Sequence, residues 1–114
     1  LNRVEKYFQV AKIAAIKRCD KRKYKLAALG VRTDGAIVIA TNLPCRQPEK
    51  AAHAEARLAR KLDQGAEVFI VRVLKCGTLA NARPCANCQT TLWRHGVKHV
   101  YYSISSGEYG VMKL

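Results

Sequence analysis

The sequence predicts an α/β protein, a three-layer α/β/α sandwich around a five-stranded mixed sheet. Three features carry this. Apolar residues recur at spacings of three and four between Val4 and Ala15, which is the helical period. Two short apolar runs are then joined through Asp34-Gly35, a strong hairpin signal. Finally, Val68-Phe69-Ile70-Val71-Arg72-Val73-Leu74 is nearly all apolar and β-branched, as a strand buried on both faces must be. Such a strand needs cover on each side, hence three layers.

The elements follow in order. Val4, Phe8, Ala11 and Ala15 place an amphipathic helix over 4–18. The stretch 17–25, with six basic residues and one acid, Asp20, is too charged for a core. Runs at 26–32 and 36–41 are the first two strands, divided by Thr33-Asp34-Gly35. Pro44 cannot continue a ladder, so the second strand ends near Asn42 and a loop holds 45–50. Residues 51–64 are rich in the best helix formers and stop at Gly65. The buried third strand, 68–74, leads through a loop over 75–83 to Pro84, suited to the first turn of a third helix at 84–95. Val97–Ser103 is the fourth strand, and Ser105-Ser106-Gly107 turns into a fifth at 108–113. That turn is too short for a helical crossover, so strands four and five are antiparallel.

At 114 residues the chain reads as one domain over 1–114, with no repeat, linker or low-complexity segment. No apolar run approaches the roughly 18 residues of a membrane span, so no membrane partner is expected. Arg3, Glu5 and Lys6 precede no uninterrupted apolar stretch, which argues against a signal peptide. The expectation is a soluble protein, cytoplasmic or otherwise intracellular. Its 21 Lys and Arg against 8 Asp and Glu give a net charge of +13. Such an excess commonly marks a polyanionic partner, usually nucleic acid; solubility alone or a small phosphorylated ligand are the alternatives. Five cysteines, an odd number without a secretory signal, favour thiols and metal over a disulfide framework. Only Cys85 and Cys88 have ligand-like spacing; Cys19, Cys45 and Cys76 read as small buried apolar residues.

Two motifs carry chemistry: His53-Ala54-Glu55 at the start of one helix, and Pro84-Cys85-Ala86-Asn87-Cys88 at the start of the next. Cysteines three apart on a helix share a face, and near its N-terminus the macrodipole favours the thiolate that zinc binds. His53, Cys85 and Cys88 make three protein ligands. The fourth tetrahedral position is left for water, the arrangement of a catalytic rather than a structural site. Zinc would acidify that water, and Glu55 could take its proton and deliver it to the substrate. Either motif alone is weak or moderate. Together, in this order and with a buried strand between, they are strong.

His53-x-Glu55 with Pro84-Cys85-x-x-Cys88 resembles the signature of the cytidine deaminase-like superfamily. The resemblance covers nearly the whole chain, because the element order also fits. It implies a cytidine deaminase-like fold, Zn2+ as cofactor, His53, Cys85 and Cys88 as its ligands, and Glu55 as general acid/base. It also places Asn42 where many members contact the sugar, and the backbone of Ala54 and Cys85 against the base. The antiparallel fifth strand resembles the nucleoside-deaminase and toxin-deaminase branch, whose members often carry Cys where His53 stands. The expected reaction is cytosine to uracil in a polynucleotide, with single-stranded DNA favoured. Lys21, Arg22, Lys23, Arg46, Lys50 and Arg83 would ring the mouth and take the phosphates. The alternative is a free cytidine or deoxycytidine nucleoside or nucleotide deaminase; adenine as substrate is a further one.

Readings from other classes are a structural zinc module and a binding protein that keeps only the fold. Cys85-x-x-Cys88 followed by His95 and His99 holds two Cys and two His, but six residues separate the pairs where a finger has ~12. That module would also leave His53 and Glu55 unexplained. Trp93 is tempting as a base-stacking platform, yet an aromatic on a sheet-covering helix is expected in or near the core. Tyr101 and Tyr102 point to opposite faces, so at most one packs in the core and the other is free to line a substrate loop.

Overall fold

The computed structural model describes residues 3–17, 24–41, 58, 61–74, 78–84, 86–105 and 107–114. The elements are α1 (Arg3–Lys17), β1 (Tyr24–Val31), β2 (Ile37–Thr41), β3 (Glu67–Leu74), β4 (Leu79–Ala80), α2 (Ala86–Arg94), β5 (His99–Ser105) and β6 (Glu108–Lys113). The sheet order is β2-β1-β3-β5-β6, with β4 pairing β3 beside that path. Among the described residues only β3 and β5 run parallel; β1 pairs β2 and β3 antiparallel, and β5 pairs β6 antiparallel. This is the mixed α/β sheet the sequence predicts, with β5 and β6 as its fourth and fifth long strands.

The apolar run at the centre is buried on both faces because its side chains alternate between two cores. Phe69, Val71 and Val73 join Ala27, Leu29, Val31 and Leu79 under Phe8, Ala11 and Ala15 of α1. Val68 and Ile70 join Ala28, Ala40 and Val100 on the other face, beneath Leu58, Leu92 and Val97. Each fully buried aliphatic or aromatic side chain contributes about 1.5–3 kcal/mol by leaving water, so β3 is the most heavily anchored strand. Aromatic rings reinforce the first face: Phe8 meets Phe69 edge-on at 5.5 Å and stacks on Tyr109 at 4.1 Å.

The two tyrosines depart from expectation, for both pack. Tyr101 stacks on Phe69 at 4.6 Å, and its hydroxyl donates to Glu67 Oε2 at 3.2 Å. Tyr102 packs against the opposite core. The pleat sends them to different faces as predicted, but each face has its own core, so neither is released to line a loop.

Boundaries shift for identifiable reasons. β5 starts at His99 rather than Val97, because Val97 N–H donates to Leu92 O and Lys98 N–H to Ala66 O. Pro84 precedes α2 rather than lying in its first turn. The helix expected over 51–64 lies outside the described residues up to 60 except at Leu58, which is helical. It does not reach 64: residues 61–65 are turn and irregular chain, with Lys61 N–H bonded to Leu58 O. Asp63 is instead engaged by the β1–β2 turn, accepting from both the hydroxyl and the N–H of Thr33. Those donors hold the Asp63 carboxyl below its ordinary value of 3.8. The interaction therefore supports the fold above that value and fades as pH falls through the lowered one.

The turn after this segment closes on the turn after α2. Gly65 N–H donates to Gly96 O at 2.7 Å, Gly96 has φ of 82°, and a Cβ there would stand 2.9 Å from Gln64 Cα. Since backbone cannot yield as a side-chain tip does, Gly96→Ala should destabilise the protein by at least ~1 kcal/mol in equilibrium denaturation. An unchanged midpoint would show that the two turns are not packed as described.

Candidate active site

β3 and β5 pair over only four residues each, Glu67–Ile70 against His99–Tyr102. Beyond this they part. β4 takes the place beside β3, pairing Arg72 with Ala80 and Val73 with Leu79, and Ala82 N–H donates to Ser103 O at 2.8 Å. The chain from Leu79 to Ala82 is thus a wedge between the carboxyl-terminal halves of two parallel strands. Ser103 fastens it. This side chain is fully buried; its hydroxyl donates to Ala80 O at 2.7 Å and accepts from Arg72 N–H at 3.3 Å. A crevice at the carboxyl ends of diverging parallel strands is where open α/β sheets bind ligands.

The wedge leads directly into α2. Arg83 N–H donates to Asn81 Oδ1 at 2.9 Å, an Asx turn, and the carbonyl of buried Pro84 accepts from Gln89 Nε2 at 2.8 Å. α2 therefore begins where the two parallel strands part. Cys88, its third residue, is 3% exposed. A buried sulfur in the first turn of a helix is placed where the dipole stabilises thiolate, and sulfur with imidazole is a donor set suited to zinc.

Other chain segments enter and leave at the same end of the sheet. Thr41, before Asn42, pairs with Ala27, which pairs with Val71 near the carboxyl end of β3. Tyr24, after Lys23, pairs with Leu74, and Glu108 pairs with Ser105. Of the sequence-predicted site residues, the structure describes Cys88 and Arg83; Arg83 is exposed on the approach to α2. Lys21, Arg22, Lys23, Asn42, Arg46, Lys50, His53, Ala54, Glu55 and Cys85 lie outside the described residues, as do Cys19, Cys45 and Cys76. Among the described residues no three of His, Cys, Asp and Glu gather as a metal site.

The finger reading fails on geometry. His99 lies on the face of β5 that carries Tyr101 and the α1 core, with Nδ1 3.9 Å from Glu67 Oε2. Leu92 of α2 packs on the opposite face, so the sheet separates His99 from the Cys88 helix. Trp93 also departs from expectation: it is 63% exposed, because Leu92 and Cys88 supply the buried side of α2. Sequence reasoning missed Ser103, Gln89 and Asn81. Asn81-Ala82-Arg83 has the form of an Asx turn and could have been found; nothing local marks Ser103, whose partners are distant in sequence.

A mixed sheet with helices on both faces, and a helix bearing Cys88 that starts where parallel strands part, is the arrangement of the cytidine deaminase-like fold. The family model described as the cytidine and deoxycytidylate deaminase zinc-binding region matches residues 1–104, and the chain belongs to that family. It is therefore a zinc-binding hydrolytic deaminase domain of the cytidine and deoxycytidylate type. No curated protein sequence matches it.

If Ser103 holds the wedge that sets up α2, Ser103→Ala should cost about 1–3 kcal/mol through the buried groups it strands. It should also weaken zinc about tenfold or more, in the range of lost outer-shell support. Gly96→Ala, at the opposite end of the sheet, supplies the control for lost stability alone. Chelator competition on both variants checks this; equal loss of zinc affinity would show that Ser103 supports only the fold.

Proposed function

We propose that the protein converts cytosine to uracil within a polynucleotide, with single-stranded DNA as the preferred substrate. The observation that carries this is the placement of the buried Cys88 and the start of α2 at the parted carboxyl ends of β3 and β5. In this reading His53, Cys85 and Cys88 hold zinc. When bound, zinc supplies Lewis acidity that makes water nucleophilic at neutral pH. Glu55 would take one proton from the attacking water and give it to the ring nitrogen, then take the second from the hydroxyl now on the ring carbon and give it to the departing amine as the carbonyl forms. The products are the uracil base and ammonia. Asn42 holds the sugar, and the Ala54 backbone lies against the base edge.

Support for a polynucleotide is electrostatic. A free nucleotide needs two or three cationic partners, whereas the chain carries a net charge of +13. The basic stretch 17–25 leads into β1, whose first residue pairs with the last of β3 at the crevice end. Arg83 stands exposed on the other side of that end. Lys21, Arg22, Lys23, Arg46 and Lys50 complete the set that would track phosphates. A single strand also spares the cost of unpairing the target base.

Glu55→Gln should leave zinc content intact and lower turnover by about 10²–10⁴, the usual contribution of a general acid/base. Ammonia release should be compared across free cytidine, its mono- and triphosphates, single-stranded DNA, duplex DNA and RNA. The expected result is highest kcat/KM on single-stranded DNA, with a selective loss there in the triple Lys21, Arg22, Lys23→Ser variant. Faster turnover of free nucleotides, insensitive to that variant, would assign the domain to small-molecule deamination.

A further inference from the structure

The far end of α2 carries a second feature that the deamination site does not use. α2 ends in Trp93-Arg94, and the turn His95-Gly96-Val97-Lys98 folds back beneath it. With Gln64, Gly65 and Leu114 these residues line an open cleft of about 650 Å³. The cleft has no acidic residue in its lining, while Arg94, His95 and Lys98 are all exposed. Trp93, 63% exposed, stands at its wall and is the only tryptophan of the chain.

We infer that this cleft is a secondary binding site for the same single strand, with a base stacked on Trp93 and phosphates on Arg94 and Lys98. The proposal rests on the polynucleotide reading above. Charge complementarity selects the occupant: a second copy would bring net charge of the same sign, whereas a strand of nucleic acid brings phosphates and π-faces together. A membrane-surface partner would call for a broad apolar face, and here a single indole stands among cations.

The helix also supplies a path. Its exposed residues Ala86, Thr90, Trp93 and Arg94 follow one another at helical spacing from the crevice to the cleft, without a carboxylate among them. Arg83 lies at the start of this track and Lys98 at its end. Nine helical residues span about 13 Å, which a strand at the stacked rise of about 3.4 Å covers in roughly four nucleotides. A strand with its target base at the crevice can therefore reach Trp93 on one side of that base. The length needed falls within the ~4–16 nucleotides that compact single-strand-binding folds occupy.

The test is a length series of single-stranded oligodeoxynucleotides with one cytosine, extended on its 5′ or its 3′ side, titrated into the zinc-loaded full chain. The fluorescence of Trp93 reports directly. Binding should quench it and tighten once about four nucleotides are added on one side only. Trp93→Ala, which lacks the fluorophore and is followed by the anisotropy of a dye-labelled oligonucleotide, should remove that gain, weakening the longer oligonucleotides between about 5- and 150-fold, whereas Trp93→Phe, followed in the same way, should retain most of it. Replacing Arg94 and Lys98 with Ser should flatten the salt dependence by roughly 0.7 log units for each phosphate that is no longer neutralised. Oligonucleotides that are deaminated without quenching, or equally well bound by Trp93→Ala, would overturn the cleft and leave the polynucleotide reading standing. Self-association abolished by Trp93→Ala, with oligonucleotide binding unchanged, would give the cleft to a second copy instead. No oligonucleotide binding at all, with free nucleotides turned over, would overturn both.

Discussion

Two parallel strands that begin side by side and are then held apart govern the rest of the molecule. β3 and β5 share four paired positions, after which the chain from Leu79 to Ala82 lies between them. Inserting backbone into a sheet leaves donors and acceptors that must be met, and here the buried Ser103 hydroxyl meets two of them. β3 cannot shift to close the gap, because each of its faces is locked into a separate apolar core. The parting of the two strands is therefore a fixed consequence of packing. It determines where α2 starts, and so where the Cys88 sulfur stands.

Electrostatics reinforces that geometry. Several described carboxylates are occupied within the fold: Asp63 by Thr33, Asp34 by the Ala36 N–H, and Glu67 by the Tyr101 hydroxyl. Their charge still counts, but 8 acids offset only part of the 21 lysines and arginines, and α2 carries none. One helix then presents two contrasting ends, a buried thiol at its N-terminus and an exposed indole among cations at its C-terminus. The family shows zinc-dependent deamination; the surplus charge argues for the kind of molecule that carries the base.

Much of this was legible in the sequence because local chemistry determined it. Asp34-Gly35 makes the predicted hairpin, Gly35 at φ 88° and Asp34 Oδ1 accepting from Ala36 N–H at 3.0 Å. The last strand occupies the predicted 108–113, since the turn before it and the alternation within it are local signals. What was not legible depends on distant partners. β4 is two residues long, too short for any periodicity, and exists only because β3 and β5 diverge. The burial of Tyr102 and the exposure of Trp93 reflect which neighbours cover each face, information absent from either residue's surroundings in sequence. For the candidate site, the helix bearing Cys88 and zinc as the family's cofactor could be read from residue types and spacing, whereas the Ser103 support could not.

The most direct measurement is X-ray absorption at the zinc K edge of the purified, metal-loaded protein. Ligation by His53, Cys85, Cys88 and one water requires two sulfurs at about 2.3 Å and two nitrogen or oxygen neighbours at about 2.0–2.1 Å. Replacing Cys88 with Ser should remove one sulfur from that shell or abolish zinc binding. A shell of three or four sulfurs, or a two-sulfur shell unchanged in Cys88→Ser, would contradict a catalytic zinc site at the start of α2.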